Sequence, residues 1–207
     1  MLSAVEIDHL ILGIMDLTKG TERFAALSGV VPMSGGEHPG RNTRNALASL
    51  GDGVYLEILA ATDPHAAPLD PKVRYSDLTF SGWALRTSSI QDVVDRLRAA
   101  GLQADDPVPG SRRNREGRLI EWKTAAARGP GLELAPFLIQ WSPGATHPSA
   151  IAPSGCRLRS LELEHVNTAP LDTFFNVVGL QQEVKAGKMP AARMVLDCPT
   201  GLVTFSS

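Results

Sequence analysis

Gly35 to Leu59 reads G-G-E-H-P-G-R-N-T-R-N-A-L-A-S-L-G-D-G-V-Y-L-E-I-L, and this stretch decides the fold. Asp52-Gly53 between two apolar-rich segments is a strong hairpin signal, so Arg41–Leu50 and Val54–Ala60 read as antiparallel neighbours. Gly35-Gly36 and His38-Pro39-Gly40 punctuate the extended run that begins at Val30. The hairpin therefore collects His38, Asn45, Tyr55 and Glu57 in one neighbourhood.

Working outward, Glu6–Ile14 (E-I-D-H-L-I-L-G-I) is a strand whose alternation sets Ile7, His9 and Ile11 on one face and Asp8, Leu10 and Leu12 on the other. Asp16 suits a helix N-cap, and Leu17, Phe24, Ala25 and Leu27 form an apolar stripe that ends at Gly29. The order is strand, helix, then three strands. It returns after the proline-bearing joint 62–77: Leu78–Thr87 as a strand, a Ser88-x-x-Gln91 capping box before a helix ending at Gly101, and a hairpin of Arg118–Ala127 with Leu132–Trp141. A third copy follows the joint 143–155, with Leu158–Val166, a helix capped by Asn167 or Thr168 and stopped by Gly179, and a closing hairpin of Arg193–Asp197 with Leu202–Phe205. The spacings Asp16 to Gly29, Ser88 to Gly101 and Asn167 to Gly179 nearly coincide, which is the mark of an internal repeat. The units are 1–61, 78–142 and 156–207. Tandem βαβββ modules of an α+β protein, joined to a related C-terminal βαβ-type unit, are the expected architecture.

The 207 residues are 43% apolar with mean hydropathy −0.04, enough for a sizeable core. A net charge of −2 carries no footprint for nucleic acid or an anionic membrane, and no stretch approaches a membrane span or a signal peptide, so the expectation is a cytoplasmic protein with no nucleic-acid or membrane partner. Cys156 and Cys198 belong to no metal or redox motif and read as two small buried apolar residues. Nucleotide-binding, serine-hydrolase and zincin motifs are absent, which leaves no nucleotide cofactor to expect, and Gly35-Gly36 is too short to cradle a phosphate.

The element order, with I-D-H-L-I-L-G-I, H-P-G-R-N-T-R-N, Y-L-E-I and P-F-L-I-Q-W, resembles the vicinal oxygen chelate superfamily of glyoxalases, extradiol dioxygenases and bleomycin-resistance proteins, and within it the glyoxalase-like domain proteins. The resemblance covers about residues 5–142. It implies paired modules curling into an open, cup-shaped sheet, with a divalent metal ion held by residues of each module's first and last strands. His9 and Glu57 match the ligand positions of the first module. In the second, His9 maps onto Ser81 or Gly82, neither a ligand, and Glu57 onto Gln140, with Glu133 as the alternative. The implied metal set is His9, Glu57 and Gln140, with His38 available as a further donor.

A lone histidine on a half-buried strand is most often a satisfied core residue; its pairing with Glu57 is what sets His9 apart. Without a metal, Glu57 becomes a general base and His9 a donor or proton relay, with His38 as the second catalytic candidate. His38, Asn45, Tyr55 and Trp83 are the expected substrate contacts, Trp83 because it neighbours the position matching His9. The run Arg112-Arg113-Asn114-Arg115 reads first as a solvated loop and second as a guide for an anionic substrate. His65, His147 and His165 carry no assigned role. The expected function is a metal-dependent lyase, isomerase or dioxygenase acting on a small oxygenated molecule. A non-catalytic binder of the resistance type is the alternative, and a homodimer is a further expectation because a single module cannot cover its own sheet.

Overall fold

Asp52 and Gly53 both take positive φ, 49° and 77°, the geometry that folds β4 (Tyr55–Ala61) back on β3 (Thr43–Ser49). The computed structural model describes residues 5–38, 41–63, 70–113 and 117–207. Pro39, Gly40, His65, Asn114 and Arg115 lie outside the described residues. β1 (Glu6–Ile14) leads into α1 (Leu17–Ser28), whose N-cap Asp16 accepts from the Thr18 and Lys19 N–H groups and whose C-cap Gly29 is left-handed. β2 (Met33–His38) pairs with β3, so Gly35-Gly36 sits inside a strand.

The second unit holds β5 (Thr79–Arg86), α2 (Ile90–Ala99), the two-residue β6 (Gln103–Ala104), β7 (Val108–Arg113), β8 (Leu119–Ala125), the two-residue β9 (Ala127–Arg128) and β10 (Phe137–Trp141). α2 starts from Ser89 with no side-chain bond from that cap. At this helix start Gln140 Oε1 accepts from the Ile90 N–H at 2.9 Å, and the Gln91 amide turns to Asp95.

Eight strands form one closed barrel in the order β1-β4-β3-β2-β7-β8-β10-β5. The two halves join where β1 runs antiparallel to β5 and where β2 meets β7 through Glu37 and Arg113. The second joint corrects the open cup that the sequence leads one to expect. It needs Gly36, since a Cβ there would lie 2.3 Å from the Arg113 carbonyl oxygen. The mixed α+β class is as expected.

The last unit is β11 (Arg157–His165), α3 (Ala169–Val178), β12 (Val184–Ala186), β13 (Ala191–Cys198) and β14 (Gly201–Ser206), in a separate sheet of order β12-β11-β13-β14. β11-α3-β12 is a parallel crossover, so βαβ describes it, but β11 also pairs antiparallel with β13 and the strand order differs from that of the barrel halves. This unit shares one core with the outside of the barrel: Phe24 stacks near Phe205, and Trp83 against Phe175. Arg96 Nη1 bonds the Val177 carbonyl. Cys156 and Cys198, expected as separate apolar side chains, are joined in a disulfide.

Candidate active site

The pleat decides which residues see the barrel interior. On β1 Leu10 and Leu12 pack outward into the main core, whereas His9 and Ile11 line an interior cavity of about 310 Å³. On β4 the inward residues are Tyr55, Glu57 and Leu59, and on β3 they are Thr43 and Asn45. On β10 they are Phe137, Ile139 and Trp141, so Gln140 points out, where it caps α2. Gln140 therefore lies outside this cavity. Glu133 lies outside it as well: it precedes β10 and pairs with His165 at 2.9 Å.

Trp83 likewise lies outside the cavity. It is paired with the outward Leu10, donates its indole N–H to the Leu134 carbonyl at 2.9 Å and belongs to the core beneath the last unit. The β5 residues that pair with His9 and Ile11 are Ala84 and Gly82. Trp122 and Trp141 are the tryptophans of the cavity.

Glu57 is the centre of the cavity's polar wall. Asn45 Nδ2 donates to its Oε1 at 2.6 Å, His9 Nε2 stands 3.5 Å from its Oε2, and His38 Nε2 lies 3.9 Å from Oε1. Burial raises the pKa of this carboxyl, but the His9 and His38 charges, the Asn45 bond and Lys72 outweigh burial and hold it below its ordinary value. Glu57 is thus ionised at neutral pH. His38, bonded through Nδ1 to Thr43 Oγ1 at 2.9 Å, has its pKa lowered by burial, against the pull of Glu57 and with the help of Arg112, Arg41 and His9. Tyr55 stacks on the His9 ring at 4.7 Å, and burial, with Asp8 and Glu57 nearby, pushes its phenol well above the usual value.

Behind His9 lies a residue that strand alternation assigns to the opposite face. Asp8 is the extra residue of a bulge between Ile7 and His9, and a bulge re-aims a side chain. Fully buried, it accepts from His9 Nδ1 at 2.6 Å, from Trp141 Nε1 at 2.9 Å and from His147 Nε2 at 2.9 Å. Burial opposes its ionisation, yet the bonds from His147 and His9, the His9 charge and the Trp141 bond hold the carboxyl far below the carboxylate range. An ionised carboxylate only accepts, so His9 carries its proton on Nδ1 and turns Nε2 toward Glu57. The adjacent I-D-H letters were the available signal for this pair; nothing local marks His147, which lies 139 residues from Asp8.

Three cations line the cavity: exposed Arg41, and Arg112 and Lys72. Arg112, first read as part of a solvated loop, lies on β7 at 3% exposure and donates Nη1 to the Gly35 carbonyl. Arg113 turns away to the Gly117 carbonyl. Lys72 enters from the 3-10 turn Pro71–Val73, its ammonium 4.5 Å from the Phe137 ring centroid.

The residues present do not fit the implied metal. Of four strand positions, only His9 and Glu57 bear donors; their counterparts in the second half are the small Gly82 and Ala84 and the apolar Phe137 and Ile139. Among the described residues no three His, Cys, Asp or Glu side chains gather into a metal-holding cluster.

A model of the glyoxalase-like domain family matches residues 7–177. A hypothetical protein from Staphylococcus aureus superposes with a TM-score of 0.68 at 15% identity, over 98% of this chain and 85% of that one. A methylmalonyl-CoA epimerase variant from Streptomyces coelicolor, in complex with 2-nitronate-propionyl-CoA, gives 0.48 at 17% identity, over 70% of this chain and 99% of its own. The methylmalonyl-CoA epimerase from Mycobacterium tuberculosis gives 0.42 at 19% identity, over 67% and 87%. No curated protein matches the chain.

Proposed function

We propose, from the premise that the chain belongs to the glyoxalase-like domain family of the vicinal oxygen chelate superfamily, that it is an isomerase or lyase whose own side chains move a proton on a small oxygenated substrate. The observation that carries this reading is the ionised Glu57 carboxylate, oriented by Asn45 and facing His9, whose other ring nitrogen is held by buried Asp8. A base fixed on one side and a relay fixed on the other are what proton abstraction next to a carbonyl requires.

In this reading Glu57 takes the proton from the carbon beside the substrate carbonyl. The electron pair of that C–H bond moves onto the carbonyl oxygen, giving an enolate in the positive field of the cavity. A proton then returns to carbon, from Glu57 or, once Glu57 has passed it to His9 Nε2, from the His9 imidazolium, whose Nδ1–H stays bonded to Asp8; Asp8 stabilises that cation without itself being protonated. Phe137, Ile139, Trp122 and Trp141 exclude water from the intermediate. The two barrel halves have separate duties: the first holds the proton chemistry, the second the aromatic wall together with Arg112.

The apolar second half also favours the other reading, a non-catalytic binder. Incubation in D2O with a panel of small ketones, 2-oxo acids and acyl esters, followed by proton NMR, separates them. Deuterium entry at the carbon beside the carbonyl, slowed roughly 100-fold or more in Glu57→Gln, supports the enzyme. Saturable binding with no exchange by either protein supports the binder.

A further inference from the structure

We infer that the cavity recognises its substrate through a carboxylate, seated between Arg112 and Lys72. The inference deepens the proton-transfer reading and stands on cations which that reading does not consume. Arg112 is nearly closed to solvent, and only Nη1 of its guanidinium has an acceptor among the described residues, the Gly35 carbonyl. Lys72 is half-buried over Phe137. Among the described residues no carboxylate stands within 4.0 Å of either cation. Asp70 and Glu57 act on Lys72, and Glu57 on Arg112, only from beyond ion-pair distance, so an anionic ligand that bonds the free guanidinium N–H groups offsets more of the cost of burying that charge.

Other carboxylates of the cavity do not fill this need. Glu57 is engaged by Asn45 and His9, Asp70 accepts from the Lys72 backbone N–H as the cap of its own turn, and Glu121 is exposed at the rim. Arg41, Lys72 and Arg112 line the cavity together with Glu57, Asp70 and Glu121, and Arg112 is the least exposed of its cations. A guanidinium also offers parallel N–H groups that match the two oxygens of a carboxylate. A volume of about 310 Å³ lies at the small end of ligand cavities, so the substrate is a compact acid.

Gly35 and Gly36 admit this arrangement. A Cβ on Gly35 would stand 2.2 Å from Asn45 Oδ1, and one on Gly36 would strike the Arg113 carbonyl beside Arg112. The twin glycines of β2 thus let the arginine-bearing strand close on the carboxylate-bearing half.

Trp122 and Trp141 line the cavity and report occupancy by fluorescence quenching. The probes are 2-oxobutanoate, phenylpyruvate and benzoate, each against its methyl ester, with inorganic phosphate as the competing anion. The expected result is saturable quenching by at least one acid, ten-fold or more tighter than its ester, and weaker binding of phosphate. Arg112→Gln and Lys72→Gln each weaken the acid at least ten-fold and leave the ester unchanged. Lys72 sits on an external turn, so its variant keeps the test decisive if loss of the Arg112–Gly35 bond impairs folding. Equal binding of acid and ester, tighter binding of phosphate, or no quenching by any acid overturns the inference. Acid binding that persists without deuterium exchange defeats the proton-transfer reading alone, and exchange on neutral esters without acid preference defeats the carboxylate seat alone.

Discussion

Asp8→Asn keeps the size of a fully buried side chain and takes away its charge and one acceptor. The carboxylate receives N–H groups from His9, Trp141 and His147 on its two oxygens. An amide has one oxygen and its own two donors, so it keeps the Trp141 and His147 bonds only by turning its NH2 toward His9 Nδ1, which must then give up its proton, and the charge of the acceptor is lost from all three bonds. A buried donor without an acceptor costs about 1–3 kcal/mol, and each bond to a charged acceptor contributes roughly 1.5–3 kcal/mol, so we expect a loss of about 3 kcal/mol. At about 2–4 °C per kcal/mol for a chain of this size, Tm falls by roughly 6–12 °C. Calorimetry and urea unfolding of both proteins measure it. The pH dependence has a defined sign. The folded pKa of Asp8 lies below its ordinary value of 3.8, so its contribution is complete above the unfolded pKa and is lost as pH falls toward the folded one. The gap between wild type and variant is therefore full at neutral pH and narrows below about pH 4. A variant within about 0.5 kcal/mol of wild type at neutral pH, the range of an uncoupled surface change, or a gap that stays constant on acidification, refutes the assignment.

Gly35→Ala drives a methyl group into Asn45 and Leu47, so it lowers stability by about 1–3 kcal/mol and slows deuterium exchange by displacing Asn45 from Glu57; an unchanged melting curve contradicts the packing. Gln140→Ala removes an α2 cap and costs about 1 kcal/mol in urea unfolding while leaving ligand quenching intact; loss of ligand or metal binding instead would return Gln140 to the site. Cys156→Ser opens a link across 42 residues of sequence and lowers unfolding free energy by about 2–4 kcal/mol, matched by adding reductant to the wild type; no effect of either contradicts the bond.

The local elements were legible in the sequence because their signals are local. Asp16 and Gly29 delimit α1, and the positive φ of Asp52 and Gly53 makes the hairpin that Asp-Gly announces. His9, His38, Asn45, Tyr55 and Glu57 were found because the first strand and the stretch Gly35–Leu59 carry them, and the structure brings all five, from β1, β2, β3 and β4, to one cavity. Gln140 and Trp83 were misplaced by alignment: with a pleat of period two, a one-residue difference in register turns a side chain to the opposite face. Arg112 was misread because a basic run looks solvated until another strand closes over it.

By itself, then, the sequence determined the alternating strands and helices, their caps and turns, and the half of the site that lies within one hairpin and its neighbour. Tertiary structure alone decided the closure of the barrel at Glu37 and Arg113, the burial of Arg112, the union of Asp8 with His147 and the pairing of Cys156 with Cys198. The physical reason is range. Caps, turns and pleats are set by neighbours a few residues apart, whereas which charge faces which cavity depends on a bulge and on strand pairings between distant segments, and these exist only once the core has packed.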